Sequence, residues 1–384
     1  MDDRLAEAYT SLGGIEHFRN GYEAAEAAFQ RALELNPNYV TTYHWYALLL
    51  GDALGRPDEA LELIKKAAEL DPRSPIILEN VGDGYARVGR FDESLAWYRK
   101  SIEIAPDFAG GYKSIGFHYW SAKGRLDEAI RWFRKSVSVD PGNPENVALL
   151  GWLFLDLGDL DRAEHWSERS IELAPESFFP NLAMQLLHLY RGDLSTALEY
   201  GRRASEAESL WFYSFEPVRV HEMRAGRYLE ARAAIERIAP ELLNEDFPKV
   251  GSMNYRAAVD LALISSKTGE PERADWLLES SLQYIQQIPR LGFDGYGVAD
   301  VQIYALQGDK QKALSTLQRA INEGWRNYWW YFLKHDPTLE SMHAEPEFQA
   351  MVAEIEADMA AQLARVREME RNGEFEPIPK LAAE

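Results

Sequence analysis

Five prolines recur at nearly equal intervals along the chain: Pro37, Pro72, Pro106, Pro141 and Pro175, separated by 35, 34, 35 and 34 residues. Each closes a similar phrase: ALELNP, AAELDP, SIEIAP, SVSVDP and SIELAP. A fixed period of this size requires like units stacked on one another, each burying its apolar face against its neighbours, and not one globular core. Each unit reads as two amphipathic helices. In the third, Leu78, Val81, Gly82 and Tyr85 share one helical face, a turn follows at Val88-Gly89-Arg90-Phe91-Asp92, and Ser94, Leu95, Tyr98 and Ile102 mark the second helix. The residue before a proline is driven out of the α region, so Ala105-Pro106 ends one unit and opens the next.

Small residues fall where the two helices of a unit must touch. They are Gly13, Ala47, Gly82, Gly116 and Gly151 in the first helices, and Ala25, Ala60, Ser94, Ala129 and Ala163 in the second. Larger residues stand beside them at Leu12, Tyr46, Val81, Ile115 and Leu150. Small against large lets paired helices approach to about 8–10 Å, so a bulky residue at Gly82 or Gly116 is expected to separate its pair. Units two and four carry one extra residue, placed here in the turn (DALGRPDEA, SAKGRLDEA).

These units resemble tetratricopeptide repeats. The fourth matches as Tyr112, Ile115-Gly116, Tyr119, Gly124-x-Leu126, Ala129, Phe133, Ser136 and Pro141. The resemblance implies an all-α fold, an α-α superhelical solenoid of helix-turn-helix repeats with a C-terminal capping helix. Five well-matched units occupy residues 1–175. About four degenerate ones occupy 176–323, marked by Ala197, Ala231, Ala274 and Ala313 and interrupted by APELLNEDFPKVGSMNY and QQIPRLGFDGYG.

Residues 324–371 form an aromatic cap and terminal helix, and 372–384 a flexible tail. Trp325, Tyr328, Trp329, Trp330, Tyr331 and Phe332 are the densest aromatic cluster in the chain. Asp336-Pro337 reads as a helix start. The stripe Phe348, Val352, Ile355, Met359, Leu363 and Val366 reads first as a cover for the last apolar face and second as a homodimer seam. The ending also resembles those that follow repeat arrays in bacterial winged-helix regulators and nucleotidyl cyclases, through Gly324-Trp325, Asp336-Pro337-x-Leu339 and Pro346-x-Phe348.

Charge and composition restrict the partners. Lys+Arg total 41 against Asp+Glu 62, a net charge of -21, which disfavours nucleic acid and anionic membranes. The chain has no cysteine, which removes thiol catalysis, disulfides and cysteine metal sites. The acidic opening MDDRLAEAYTSLGG lacks a signal-peptide core, and no apolar run is long enough to insert in a membrane, so a cytoplasmic location is expected.

In tetratricopeptide arrays the first helices line the concave face. Carried over from the small residue of each first helix, the resemblance implies a groove of Thr10, His17, His44, Leu48, Glu79, Asp83, Lys113, Phe117, Trp120, Trp152, Asp156, Leu186 and Tyr190. Thr10 and Gly14 stand where chaperone-tail clamps of this family hold a carboxylate, which disfavours that ligand. Aromatic beside acidic residues suit a protein or peptide segment with apolar anchors and a Lys or Arg. The alternative for Phe117, Trp120 and Trp152 is packing between neighbouring repeats.

No enzyme activity, metal or cofactor is expected. His221-Glu222 lacks the second histidine of a zinc-protease helix, and His335, Asp336 and His343 read as packing and capping residues. Gly82-x-Gly84 lies inside a helix, away from the strand-turn-helix setting a dinucleotide needs. The leading expectation is a non-catalytic scaffold. The alternative is a regulatory or sensory module controlling an attached or partner effector domain of a bacterial signalling protein.

Overall fold

The computed structural model describes residues 5–207, 216–243, 247–292 and 294–379. All regular structure among them is helical. Eighteen helices pair in sequence as α1 (Ala6–Phe18) with α2 (Tyr22–Leu35), α3 (Val40–Leu48) with α4 (Pro57–Leu70), α5 (Pro75–Arg87) with α6 (Phe91–Ile104), α7 (Ala109–Phe117) with α8 (Leu126–Val139), and α9 (Pro144–Asp156) with α10 (Leu160–Leu173). The pairs continue as α11 (Phe178–Tyr190) with α12 (Leu194–Ala207), α13 (Glu216–Arg224) with α14 (Tyr228–Ile238), α15 (Tyr255–Thr268) with α16 (Pro271–Ile285), and α17 (Ala299–Leu306) with α18 (Lys310–Glu323). A short α19 (Trp329–Lys334), a 3-10 turn at Pro337–Met342 and a long α20 (Pro346–Arg371) complete the chain. Two compact units result, Met1–Ile115 and Gly116–Glu384, and their boundary falls within α7.

Each hairpin turns on one left-handed residue: Asn20, Gly55, Gly89, Gly124, Gly158, Gly192, Gly226, Gly269 and Gly308. In ordinary pairs the second helix is joined by a backbone bond reaching back five residues, as from Arg90 N to Tyr85 O (2.9 Å) or Asp159 N to Phe154 O (2.9 Å). Pairs two and four reach back six, from Arg56 N to Leu50 O (2.9 Å) and Arg125 N to Tyr119 O (2.8 Å). The extra residue of these units is absorbed by a π turn ending the first helix, at Leu49–Ala53 and His118–Ala122, and not by the loop.

The small positions Gly13, Gly82 and Gly116 meet aromatic rings across their pairs, and Gly151 meets Ser167. A Cβ on Gly116 would lie 2.7 Å from the Phe133 ring, and one on Gly82 would overlap Tyr98. Gly116→Leu is therefore expected to lower stability by about 2 kcal/mol, read from the urea midpoint. An unchanged midpoint would show that the Phe133 ring moves aside freely.

In Met1–Ile115 the core joins Phe29, Leu49, Leu50, Ile64, Leu78 and Val81. In Gly116–Glu384 one core runs from Trp120 and Phe133 through α9 and α11 to α19 and α20, and a second gathers α14 to α17 around Leu261 and Leu277. This larger unit closes on itself. Gln362 of α20 accepts from Leu126 N (2.7 Å) and Asp127 N (3.2 Å) and donates to Gly124 O (2.8 Å). It thereby caps α8, whose own N-cap Arg125 makes no side-chain cap. Arg365 pairs with Asp127, and Arg367 reaches Asp159 at 3.0 Å.

Two expectations about the ending are corrected by this closure. Phe348, Ile355, Met359, Leu363 and Val366 are consumed inside the unit, so α20 does not present them as a dimer seam. Part of the tail is docked: Phe375 lies under the Arg134 guanidinium at 4.6 Å, Glu374 pairs with Arg131 at 2.8 Å, and Ile378 packs on the core. Residues 380–384 of that tail lie outside the described residues. The residues carrying the resemblance of the ending have structural roles. Asp336 caps the 3-10 turn through Thr338 N (2.8 Å), Pro346 opens α20, and Phe348 is core.

Candidate functional site

Within Met1–Ile115, the groove positions link successive first helices. Thr10 Oγ1 meets Thr42 Oγ1 at 2.5 Å between α1 and α3. His44 is bonded to Asn80 between α3 and α5, and burial lowers the His44 pKa, favouring the neutral ring. Ser114 donates to Glu79 at 2.6 Å between α7 and α5. Asp83, one turn beyond Glu79, accepts from the Tyr98 hydroxyl at 2.7 Å. Burial and the Asp83 charge hold that phenol well above its ordinary pKa. Asp83, His44, Lys113 and His17 are half-buried, and the His17 ring lies 6.2 Å from both Phe18 and Tyr22. This face is polar, acidic along α5, and partly open to solvent.

Within Gly116–Glu384 the corresponding residues come together in a different state. Phe117 stacks on Trp120 (5.9 Å, 13°), and Trp120 meets Trp152 edge-on at 5.2 Å. The space beside them is filled by the chain's own aromatic segment. Tyr328 meets Trp152 at 5.8 Å, and Trp330 meets Tyr190 at 4.8 Å. Asp156 anchors the segment. Its carboxylate accepts from Trp120 Nε1 (3.2 Å), Trp330 Nε1 (3.0 Å) and Tyr328 N (3.2 Å), and its carbonyl accepts from Trp329 Nε1 (2.8 Å). Burial raises the Asp156 pKa to about 7, against the lowering effect of these donors. Tyr328 is held in the left-handed region at φ 58°, a strained setting for a side chain of this size, by the Asp156 bond and by stacking on Tyr331 at 4.7 Å.

A second buried cluster fixes the other side of the segment. Arg219 of α13 joins Asp260 of α15, Tyr331 of α19 and both carboxylate oxygens of Asp336 (3.1 Å each). Gln302 of α17 donates to Asp336 (2.9 Å) and Thr338 (3.0 Å). Sequence reading missed this cluster, because its members are one arginine, two aspartates and a glutamine scattered over 118 positions without a spacing rule.

The reading of Trp120 and Trp152 as exposed groove anchors is therefore corrected. They are 1% and 4% exposed, and Asp156 is fully buried. The aromatic cluster of the ending is not an outer cover but the filling of the inner face. Replacing both tryptophans would report on stability and not on partner capture. Among the described residues no cluster could hold a metal ion, and no helix is long and apolar enough to cross a membrane.

Tetratricopeptide repeats are recognised over residues 6–39, 28–62, 52–107, 119–143 and 145–177. The chain is similar to small glutamine-rich tetratricopeptide repeat-containing protein 2 of Mycosarcoma maydis, at 33% identity over 26% of this chain and 28% of that protein. It is also similar to anaphase-promoting complex subunit 3 of Schizosaccharomyces pombe (28% identity, 27% of this chain, 16% of that protein). A third relative is the mitochondrial import receptor subunit TOM70 of Rattus norvegicus (26%, 27% and 17%). The chain thus spans less than a third of the length of each of these relatives. The solved APC/C hetero-tetramer Cut9-Hcn1 aligns with 80% of this chain and 54% of that chain at a TM-score of 0.51 and 17% identity, which shows the solenoid fold.

Proposed function

We propose that the chain is a non-catalytic scaffold that holds a protein or peptide segment on the first-helix face of Met1–Ile115, through His17, His44, Glu79, Asp83 and Lys113. One observation carries this reading. His17, His44, Asp83 and Lys113 remain partly accessible around the buried Glu79, whereas the matching face of Gly116–Glu384 is filled by Trp329 and Trp330. Tetratricopeptide-repeat proteins are generally protein-interaction scaffolds, and a preformed helical face reduces the ordering cost of binding. The half-buried Asp83 carboxylate gives this face an acidic character that suits a Lys or Arg of the partner.

Asp83→Asn keeps an acceptor for the Tyr98 hydroxyl and removes the charge. Together with His17→Ala it is expected to weaken capture of the partner from native lysate about tenfold, with unchanged helicity by circular dichroism. A folded double variant with undiminished capture overturns the assignment of this face.

A further inference from the structure

Trp276 occupies the wrong side of its helix for a core residue. The buried row of α16 is Ala274, Leu277, Leu278, Ser281 and Ile285. At 100° per residue Trp276 projects opposite that row, between Glu272 one turn before and Glu279 one turn after. The other second helices carry Ala27, Glu62, Ala96, Arg131, His165, Glu199, Ala233 and Ser315 at the same register, so none places a Phe, Tyr or Trp there. The insert between α14 and α15 folds back to meet this ring. Phe247 packs edge-on at 5.1 Å, and Trp276 Nε1 donates to Pro248 O at 3.3 Å. Both rings nevertheless stay open to solvent, Phe247 at 57% and Trp276 at 41% exposed. Met253 of the same insert is also exposed.

Glu272, Asp275 and Glu279 around Trp276 are all exposed and have no cationic partner among the described residues. The neighbouring arginines are engaged elsewhere: Arg232 pairs with Glu270 at 2.6 Å, and Arg273 donates to Leu242 O. On the described part of the insert, Lys249 is the one cation. An apolar ring pair with three free carboxylates around it complements a segment that has an apolar anchor flanked by Lys or Arg. The cations then meet both the carboxylates and the indole face.

We infer that the Phe247–Trp276 patch on the outer face of α16 docks a basic, apolar-anchored segment of a partner protein. The site is separate from the face proposed above and does not depend on it. The test uses the full chain and two fluorescein-labelled synthetic peptides of about 14 residues with the same leucine positions, one filled with lysine and one with glutamate, at physiological salt.

The lysine peptide is expected to bind about tenfold tighter than the glutamate peptide by fluorescence anisotropy. Trp276→Ser is expected to remove that advantage, and Glu272→Lys with Glu279→Lys to reverse it. Equal binding of both peptides, or a lysine preference unchanged in Trp276→Ser and in the charge-reversed variant, overturns the inference. The latter result would assign the binding to the net charge of the whole chain. Self-association of the parent chain that is lost in Trp276→Ser also overturns it, because the patch then belongs to a second copy.

Discussion

Trp330→Ala is expected to lower the stability of Gly116–Glu384 by about 4 kcal/mol, the cost of deleting a fully buried large aromatic side chain. The indole is 0% exposed, packs edge-on against Tyr190 and Tyr328, and donates to Asp156 at 3.0 Å. Its removal leaves a cavity between α9, α11 and α19 and takes one donor from a buried carboxylate. Thermal unfolding should fall by roughly 10 °C, and amides of α9 and α11 should lose protection against hydrogen exchange. A shift of only a degree or two would mean that the aromatic segment is a loosely held occupant and not part of the core.

Asp156 gives the second large effect, through pH. Its folded pKa of about 7 lies above the ordinary value of 3.8 because burial disfavours the charge and no cation offsets it. Between those two values the folded chain holds a proton that the unfolded chain has released. The contribution of this residue to stability is therefore greatest below pH 4 and declines as pH rises towards 7. Over that window the wild type should lose about 4 kcal/mol relative to Asp156→Asn, whose side chain does not titrate. Urea unfolding of both proteins at pH 4.5, 6 and 8 measures the difference, and a constant gap would show that the carboxylate is neutralised or hydrated. Carboxylates held below their ordinary pKa by arginine, such as Asp127 between Arg125 and Arg365, act in the opposite direction. Only the comparison between the two proteins isolates Asp156.

Much of the architecture was legible because repeats translate local physics into a period. The prolines, the small residues at Gly82 and Gly116, and the extra residue of pairs two and four all correspond to features of the fold. Only the place of the extra residue differed, since a helix end can absorb it as a π turn more readily than a one-glycine loop can. The groove mapping brought Trp120, Trp152, Asp156 and Tyr190 to one surface, as the structure does. What occupies that surface was not legible, because Asp156 and Trp330 are 174 residues apart and no repeat register connects them. Two clues were present: an aromatic-acidic inner face, and a cluster of six aromatic residues near the end. Each was assigned a separate role, though their chemistry is complementary. The outward Trp276 was missed for a simpler reason. It lies in a degenerate unit, where its register could be fixed only by comparison with the other eight second helices.

The bond from Gln362 to the start of α8 has a consequence for how the chain is made. An open stack can settle hairpin by hairpin as it leaves the ribosome, each arrival resting on the one before. Here the hairpin begun near residue 109 waits for a glutamine translated more than two hundred residues later. Until then the first amides of α8 lack the Gln362 acceptor, a period in which a chaperone or a neighbouring nascent chain can meet the unfinished hairpin. α20 thus sets when that hairpin is finished, and nonsense or frameshift changes before codon 362 should damage folding far upstream of where they fall.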